Sequence, residues 1–165
     1  IININARSLL NKIEQLEATV IALEPDIICV TETWLHADIG NHEVAPPGYS
    51  IVRKDRTTRG GGVALLLRQG INYSVMPDVP DVEAVWCRIQ LGQTHVCVGA
   101  VYRPPQAEVS YLEQLLEYMY QHMLGNAILM GGDFNLPDIN WSSLSPTNVT
   151  NNIMPSFLFT FNLTQ

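Results

Sequence analysis

An apolar run that gives way at once to two glycines and an acid constrains this chain most: Ala127-Ile128-Leu129-Met130-Gly131-Gly132-Asp133-Phe134-Asn135. The four apolar residues read as a buried strand. The glycines allow the backbone to turn sharply. Asp133 and Asn135 then stand one residue apart at a strand's carboxyl end, where a rigid sheet holds loops in place and sites are built.

The rest of the chain supplies partners for that strand. Residues 1–5 alternate as a first strand. Leu9, Ile13, Leu16, Val20 and Leu23 recur at helical spacing over 7–23, and Pro25 stops the helix. Residues 26–33 carry Ile27-Ile28-Cys29-Val30, a central strand buried on both faces, ending at Thr31-Glu32-Thr33-Trp34. A polar loop spans 36–48. Strands are predicted at 49–53 and 63–67, around a turn rich in Gly and Arg at 54–62. Residues 72–81 read as irregular. A half-buried strand over 83–91 turns at Gly92-Gln93-Thr94 into its partner over 95–102. Ser110, with Glu113 three residues on, is the expected N-cap of a helix burying Leu112, Leu115, Leu116, Met119 and Met123. Gly125 or Asn126 would end it. Residues 136–152 read as loop and 154–161 as one more helix. Hairpins, two long helices and no βαβ repeat predict an α+β fold. The architecture that satisfies them is a four-layer α/β sandwich, two packed and mostly antiparallel sheets flanked by helices.

Length and composition bound what such a fold is for. The chain has 165 residues, 47% of them apolar, enough for one domain with a real core. No apolar run approaches the ~20 residues of a membrane span, and no basic-then-apolar leader opens the chain. An intracellular protein without a membrane partner is therefore expected. Cys29, Cys87 and Cys97 lie in apolar runs without metal-ligand spacing and read as small buried hydrophobes. The N-x-S/T triplets at Asn72, Asn140, Asn148 and Asn162 read as chance occurrences. A net charge of −7 argues against a nonspecific nucleic-acid coat. It does not exclude a nuclease, because a metal-dependent site is itself built from carboxylates.

Four strand ends present polar groups where an apolar run gives out: Asn5, Glu32, Tyr102, and Asp133 with Asn135. One such end means little, since every strand stops at something polar. Two acids, two amides and a phenol together suit phosphate-ester hydrolysis. A hard divalent cation takes carboxylate oxygens. A carboxylate can orient and deprotonate a water. Amides and a phenol can donate to charge building on phosphate oxygens.

The pieces NINARSL, PDIICVTETWL, GGGVALLLR, VYRPP and GGDFN, in that order, resemble the endonuclease/exonuclease/phosphatase superfamily. TETWL and YRPP bring the chain nearest to the apurinic-like endonuclease domain of non-LTR retrotransposons. The resemblance covers residues 1–165 as one domain, incomplete at both ends. It implies Mg2+, with Mn2+ as an alternative, held by Glu32. It also implies a water positioned by Asp133, with Asn135 holding that water and the phosphate. Asn5 would support ligand and phosphate, and Tyr102 would stabilise phosphate charge. Arg103 would contact the DNA backbone. Duplex DNA is the implied substrate, a downstream reverse transcriptase the implied covalent partner, and the nucleus the place of action.

The chain departs from the family in lacking its terminal Ser-Asp-His segment and a further acid before it. His36, His42, His95 and His122 stand in other contexts and read as surface or packing residues. The last strands are therefore expected to be missing and the isolated piece inactive or nearly so. Arg53, Lys54, Arg56 and Arg59 precede Gly60-Gly61-Gly62. This cluster reads either as a backbone-phosphate contact or as a solvated hairpin tip. Trp34 and Trp141 each follow a site motif and read either as packing beside DNA or, by preference, as core or rim packing. Two alternatives accompany the endonuclease: a phosphomonoesterase or phosphodiesterase of the same superfamily, and a degenerate nucleic-acid-binding module without turnover.

Overall fold

A computed structural model describes residues 1–137 together with 153, 158–161 and 163. The expected loop at 136–152 and helix at 154–161 fall mostly outside these residues. Trp141 and the triplets at 140, 148 and 162 fall outside them too.

Two four-stranded sheets pack face to face. The first contains β1 (Ile2–Asn5), β2 (Ile27–Thr31), β3 (Tyr49–Lys54) and β4 (Val63–Arg68), in the order β1-β2-β4-β3. The second contains β5 (Tyr73–Val75), β6 (Glu83–Leu91), β7 (Thr94–Tyr102) and β8 (Ala127–Asp133), ordered as numbered. Helix α1 (Ile13–Leu23) lies on the outer face of the first sheet, where Leu16 packs with Ile28, Val30, Ala64 and Leu66. A one-turn helix, α2 (Asn41–Val44), buries Val44 in that layer. Helix α3 (Val109–Met123) covers the second sheet, with Leu115, Met119 and Met123 against Ala84, Trp86 and Val101. Between the sheets, Cys29, Leu65 and Leu67 meet Cys87, Ile89, Val98 and Ala100. Burying a side chain of this size stabilises by about 1.5–3 kcal/mol. The predicted four-layer sandwich is what the chain forms.

One expectation about connectivity is overturned. The sheets hold two βαβ units, not none: β1–α1–β2 and β7–α3–β8 are parallel pairs, each bridged by a long helix. The remaining pairings are antiparallel. The intervening hairpins hide these units in the sequence, because each parallel pair is separated by a crossover that reads simply as a helix.

Several local readings are also corrected. Helix α1 begins at Ile13, after a 3-10 turn at Leu9–Lys12, because Arg7 and Ser8 adopt φ of 44° and 85°. Helix α3 is capped at Glu108, so Ser110 lies within it. Strand β6 is buried on both faces through its middle, since Ala84 and Trp86 face α3. Residues 72–81 include β5 at an edge. Strand β8 is only partly buried, with Leu129 45% exposed.

Gly131 and Gly132 do not turn the chain. Both lie in β8, and neither has positive φ. A Cβ on Gly131 would sit 2.7 Å from Cys29 Sγ, and one on Gly132 would collide with the Val101 carbonyl oxygen. The glycines let β8 press against β7 and, across the sandwich, against β2. Gly131→Ala is expected to lower unfolding free energy by about 1–3 kcal/mol, the usual effect of overpacking, read as a lower urea midpoint.

The three thiols are free and buried. Burial pushes Cys29 up to about 11 and Cys87 up to about 12. From about pH 9 upward, an unfolded chain ionises these thiols while the native chain keeps them neutral. Their contribution to stability is thus complete below the unfolded value and is lost as pH rises through the folded ones. The urea midpoint should fall across that window, and by less in Cys87→Ala.

Candidate active site

Parallel strands end together. In the first sheet Asn5 closes β1 opposite Thr31 of β2, so Glu32 emerges beside it. In the second, Tyr102 of β7 is in register with Asp133 of β8. The two units are stacked, with β1 against β8. The four strand ends therefore meet at one rim of the sandwich.

Asn5 joins them. Its Nδ2 donates to Glu32 Oε1 at 3.2 Å and to Asp133 Oδ2 at 3.1 Å. An amide nitrogen has two hydrogens to give, and here each goes to a carboxylate from a different sheet. Asn3 Nδ2 adds a bond to Gly132 O at 3.3 Å, again from β1 to β8. Neither carboxylate forms an ion pair with a described cation. The Tyr102 phenol, in a 6% exposed residue, lies near Glu32. Burial first, then the Glu32 charge, pushes its titration up, so it stays a neutral donor.

The Asp133 loop is braced from within. Asn135 adopts φ 47°. Its backbone N–H donates to Asp133 Oδ1 at 3.1 Å, and its Nδ2 donates to Arg103 O at 2.8 Å. Asn135 thus orients Asp133, and its amide oxygen and second amide hydrogen remain for a water or phosphate. Arg103 is 4% exposed and donates to Asn135 O and Ala107 O. It clamps two loops and presents nothing to a DNA backbone, contrary to expectation.

The basic turn is likewise directed inward. Arg53 donates to Ile39 O at 2.6 Å and lies 3.4 Å from Asp55 Oδ2. Lys54 meets Asp78 Oδ1 at 2.7 Å and Val79 O at 2.5 Å. Arg56 donates from Nε and Nη2 to Glu83 Oε1. Arg53 and Lys54 thus hold neighbouring loops rather than facing solvent, and of the expected contacts in this turn Arg59 alone is exposed. No histidine bonds to the cluster: His36 faces Asp38 at 3.5 Å and His122 packs on Tyr118 at 4.6 Å. Trp34 stands on the rim, 37% exposed.

Glu83 is the residue that the sequence did not single out. Besides Arg56 it accepts from Gly62 N–H at 2.5 Å. Its own N–H donates to Tyr111 Oη at 2.5 Å, which donates to Tyr102 O at 2.5 Å. The Arg56 guanidinium lies 6.0 Å from the Tyr102 ring centroid. Only an acid opening a strand whose next four residues are apolar could have signalled this.

Two carboxylates and an amide oxygen form a hard donor set. Mg2+ takes one or two carboxylates and fills the rest of its shell with water and phosphate. Among the described residues no group of three or more His, Cys, Asp or Glu converges in a metal-binding arrangement. Glu32 and Asp133 thus offer the one or two carboxylates that such an ion takes.

Comparison with known proteins identifies the fold. Residues 2–163 match the Endonuclease/Exonuclease/phosphatase family. The endonuclease domain of TRAS1, a telomere-specific non-LTR retrotransposon, superposes with a TM-score of 0.73 at 15% identity, covering 99% of this chain and 73% of that one. An AP endonuclease from Archaeoglobus fulgidus gives 0.67 at 17% identity, covering 96% and 69%. A variant of the 3′ phosphatase NExo from Neisseria, bound to a product DNA hairpin, gives 0.68 at 18% identity, covering 96% and 70%. No curated protein sequence matches. At these identities the solved structures establish a shared fold.

Tyr111→Phe should cost about 1–3 kcal/mol, because it strips Glu83 N–H and Tyr102 O of their partner while preserving shape. Urea unfolding of the two forms checks this.

Proposed function

The chain belongs to the Endonuclease/Exonuclease/phosphatase family, and from that premise we propose a divalent-metal-dependent endonuclease domain that hydrolyses DNA phosphodiester bonds. In its biological setting it would nick target DNA in the nucleus for a non-LTR retrotransposon, exposing a 3′-hydroxyl for a downstream reverse transcriptase. The observation that carries the proposal is the Asn5 amide shared between Glu32 and Asp133. It brings two otherwise uncompensated carboxylates to one solvent-open point beside a phenol. The fold shared with the TRAS1 domain supports the retrotransposon setting.

The residues divide the work. Glu32 would hold Mg2+ or Mn2+, with Asn5 beside it, and the cation would neutralise phosphate charge. Asp133, fixed by Asn135 N–H, orients the attacking water and accepts its proton. Tyr102, kept protonated by burial and by Glu32, donates to a phosphate oxygen as charge accumulates there. Asn5 holds Glu32 and Asp133 in register.

Phosphomonoester hydrolysis is the second reading, favoured by the fold shared with a 3′ phosphatase. A supercoiled plasmid and a 3′-phosphorylated duplex, each with Mg2+ and with Mn2+, separate the two. The assay uses the chain as it stands and extended along its natural reading frame. Nicking is expected in at least one form. Glu32→Gln and Asp133→Asn should each reduce it by at least roughly a hundredfold, the scale of lost acid–base or charge stabilisation. Nicking that persists in either variant, or is absent with both ions in both forms, overturns the proposal.

A further inference from the structure

On the footing of the endonuclease function proposed above, we infer that DNA docks on a ledge formed by Arg7, Trp34 and Arg59, not on the basic hairpin as a whole. Of nine Lys and Arg residues, six are engaged internally. Arg53, Lys54, Arg56 and Arg103 are bound as described. Arg68 meets Asp26 Oδ1 at 3.5 Å, and Arg88 donates to His122 O at 3.2 Å. Arg7, Lys12 and Arg59 have no such partner among the described residues, and both arginines are exposed.

The two free arginines bracket the Glu32 loop. On one side, Ser8 N–H donates to Glu32 O at 3.0 Å and Leu9 N–H to Thr33 O at 2.9 Å. On the other, Thr33 N–H donates to Gly62 O at 3.3 Å and Trp34 N–H to Gly61 O at 3.0 Å. Three loops are thus laced edge to edge, in the order Arg7–Ser8, Glu32–Trp34, Arg59–Gly62. Their backbones are unusual. Arg7, Ser8, Glu32 and Trp34 have φ between 44° and 85°, and Gly60, Gly61 and Gly62 between 67° and 87°. Left-handed conformations cost energy in non-glycine residues and persist where surrounding contacts enforce them. Packing is tight at Gly62, where a Cβ would lie 2.5 Å from Thr33 Oγ1; one on Gly60 would make an ordinary contact, 3.9 Å from Trp34 Nε1.

The laced loops carry two exposed arginines without a partner among the described residues, with Glu32 and the 37% exposed Trp34 on the middle loop. That pattern complements a phosphate–sugar backbone crossing the catalytic carboxylates. Arg7 and Arg59 would each meet a phosphate flanking the cleaved one, and Trp34 would pack against a sugar or base. A chain of net charge −7 can bind DNA this way because local charge, not net charge, meets the phosphates, and two of its three unpartnered Lys and Arg residues flank the Glu32 loop.

Binding, not cleavage, tests this. Affinity for a short fluorescein-labelled duplex is measured by anisotropy in Ca2+ across a salt series. Arg7→Ala and Arg59→Ala should each weaken binding and reduce the salt slope by about one unit. Trp34→Ala should weaken binding by roughly tenfold with the slope unchanged, and Trp34→Phe should restore it. Arg68→Gln, at the opposite end of β4, removes the same charge and should leave the slope as it was. Slopes unaltered by the rim arginines, or altered equally by Arg68→Gln, overturn the ledge and leave the endonuclease function standing. Absence of duplex affinity in the parent chain, together with failure of the nicking assay, overturns both.

Discussion

One amide holds this rim together. Glu32 belongs to one sheet and Asp133 to the other, and both carry the same charge. Like charges at such close quarters repel. Asn5 supplies each with a hydrogen bond from a single nitrogen, so their separation is set by the dimensions of an amide. The mutual repulsion that remains is what a bound cation would relieve.

Much of the architecture was legible because its physics is local. The Ile27–Val30 run, the periodicity from Leu112 to Met123 and the two-residue hairpin at Gly92 each declare themselves within a short window. The two βαβ units did not, because parallel pairing joins strands separated by a whole helix. The meaning of Gly131 and Gly132 was hidden for the same reason. Their constraint comes from Cys29 and Val101, which are distant along the chain. The convergence of Asn5, Glu32, Tyr102 and Asp133 was inferred from four separate strand ends, but not the bridging amide. Arginine chemistry was the least legible. A cluster of cations in sequence looks like a nucleic-acid surface, yet Arg53, Lys54 and Arg56 turn to Asp55, Asp78 and Glu83, and only the folded chain shows which are free.

Those inward arginines have a role of their own. Arg56 and Glu83 fasten the glycine turn to the start of β6, and Tyr111 extends the same chain of bonds to the end of β7. Arg103 fastens the following loop to Asn135. The polar groups beneath the rim thus form a scaffold under the carboxylates. Much of this polar material lies partly buried, where unmatched groups are costly.

The division of the cluster between two sheets makes the interlayer seam a gauge for chemistry at its edge. Strands advance about 3.3 Å per residue, so a slip of even a fraction of that step between the layers would pull Asn5 away from Asp133. The alignment of these rim side chains is then inherited from steric fit deep in the sandwich, in the thin contact of Gly131 with Cys29. Variation in that interior seam would shift the rim while every polar side chain at the surface stays unchanged.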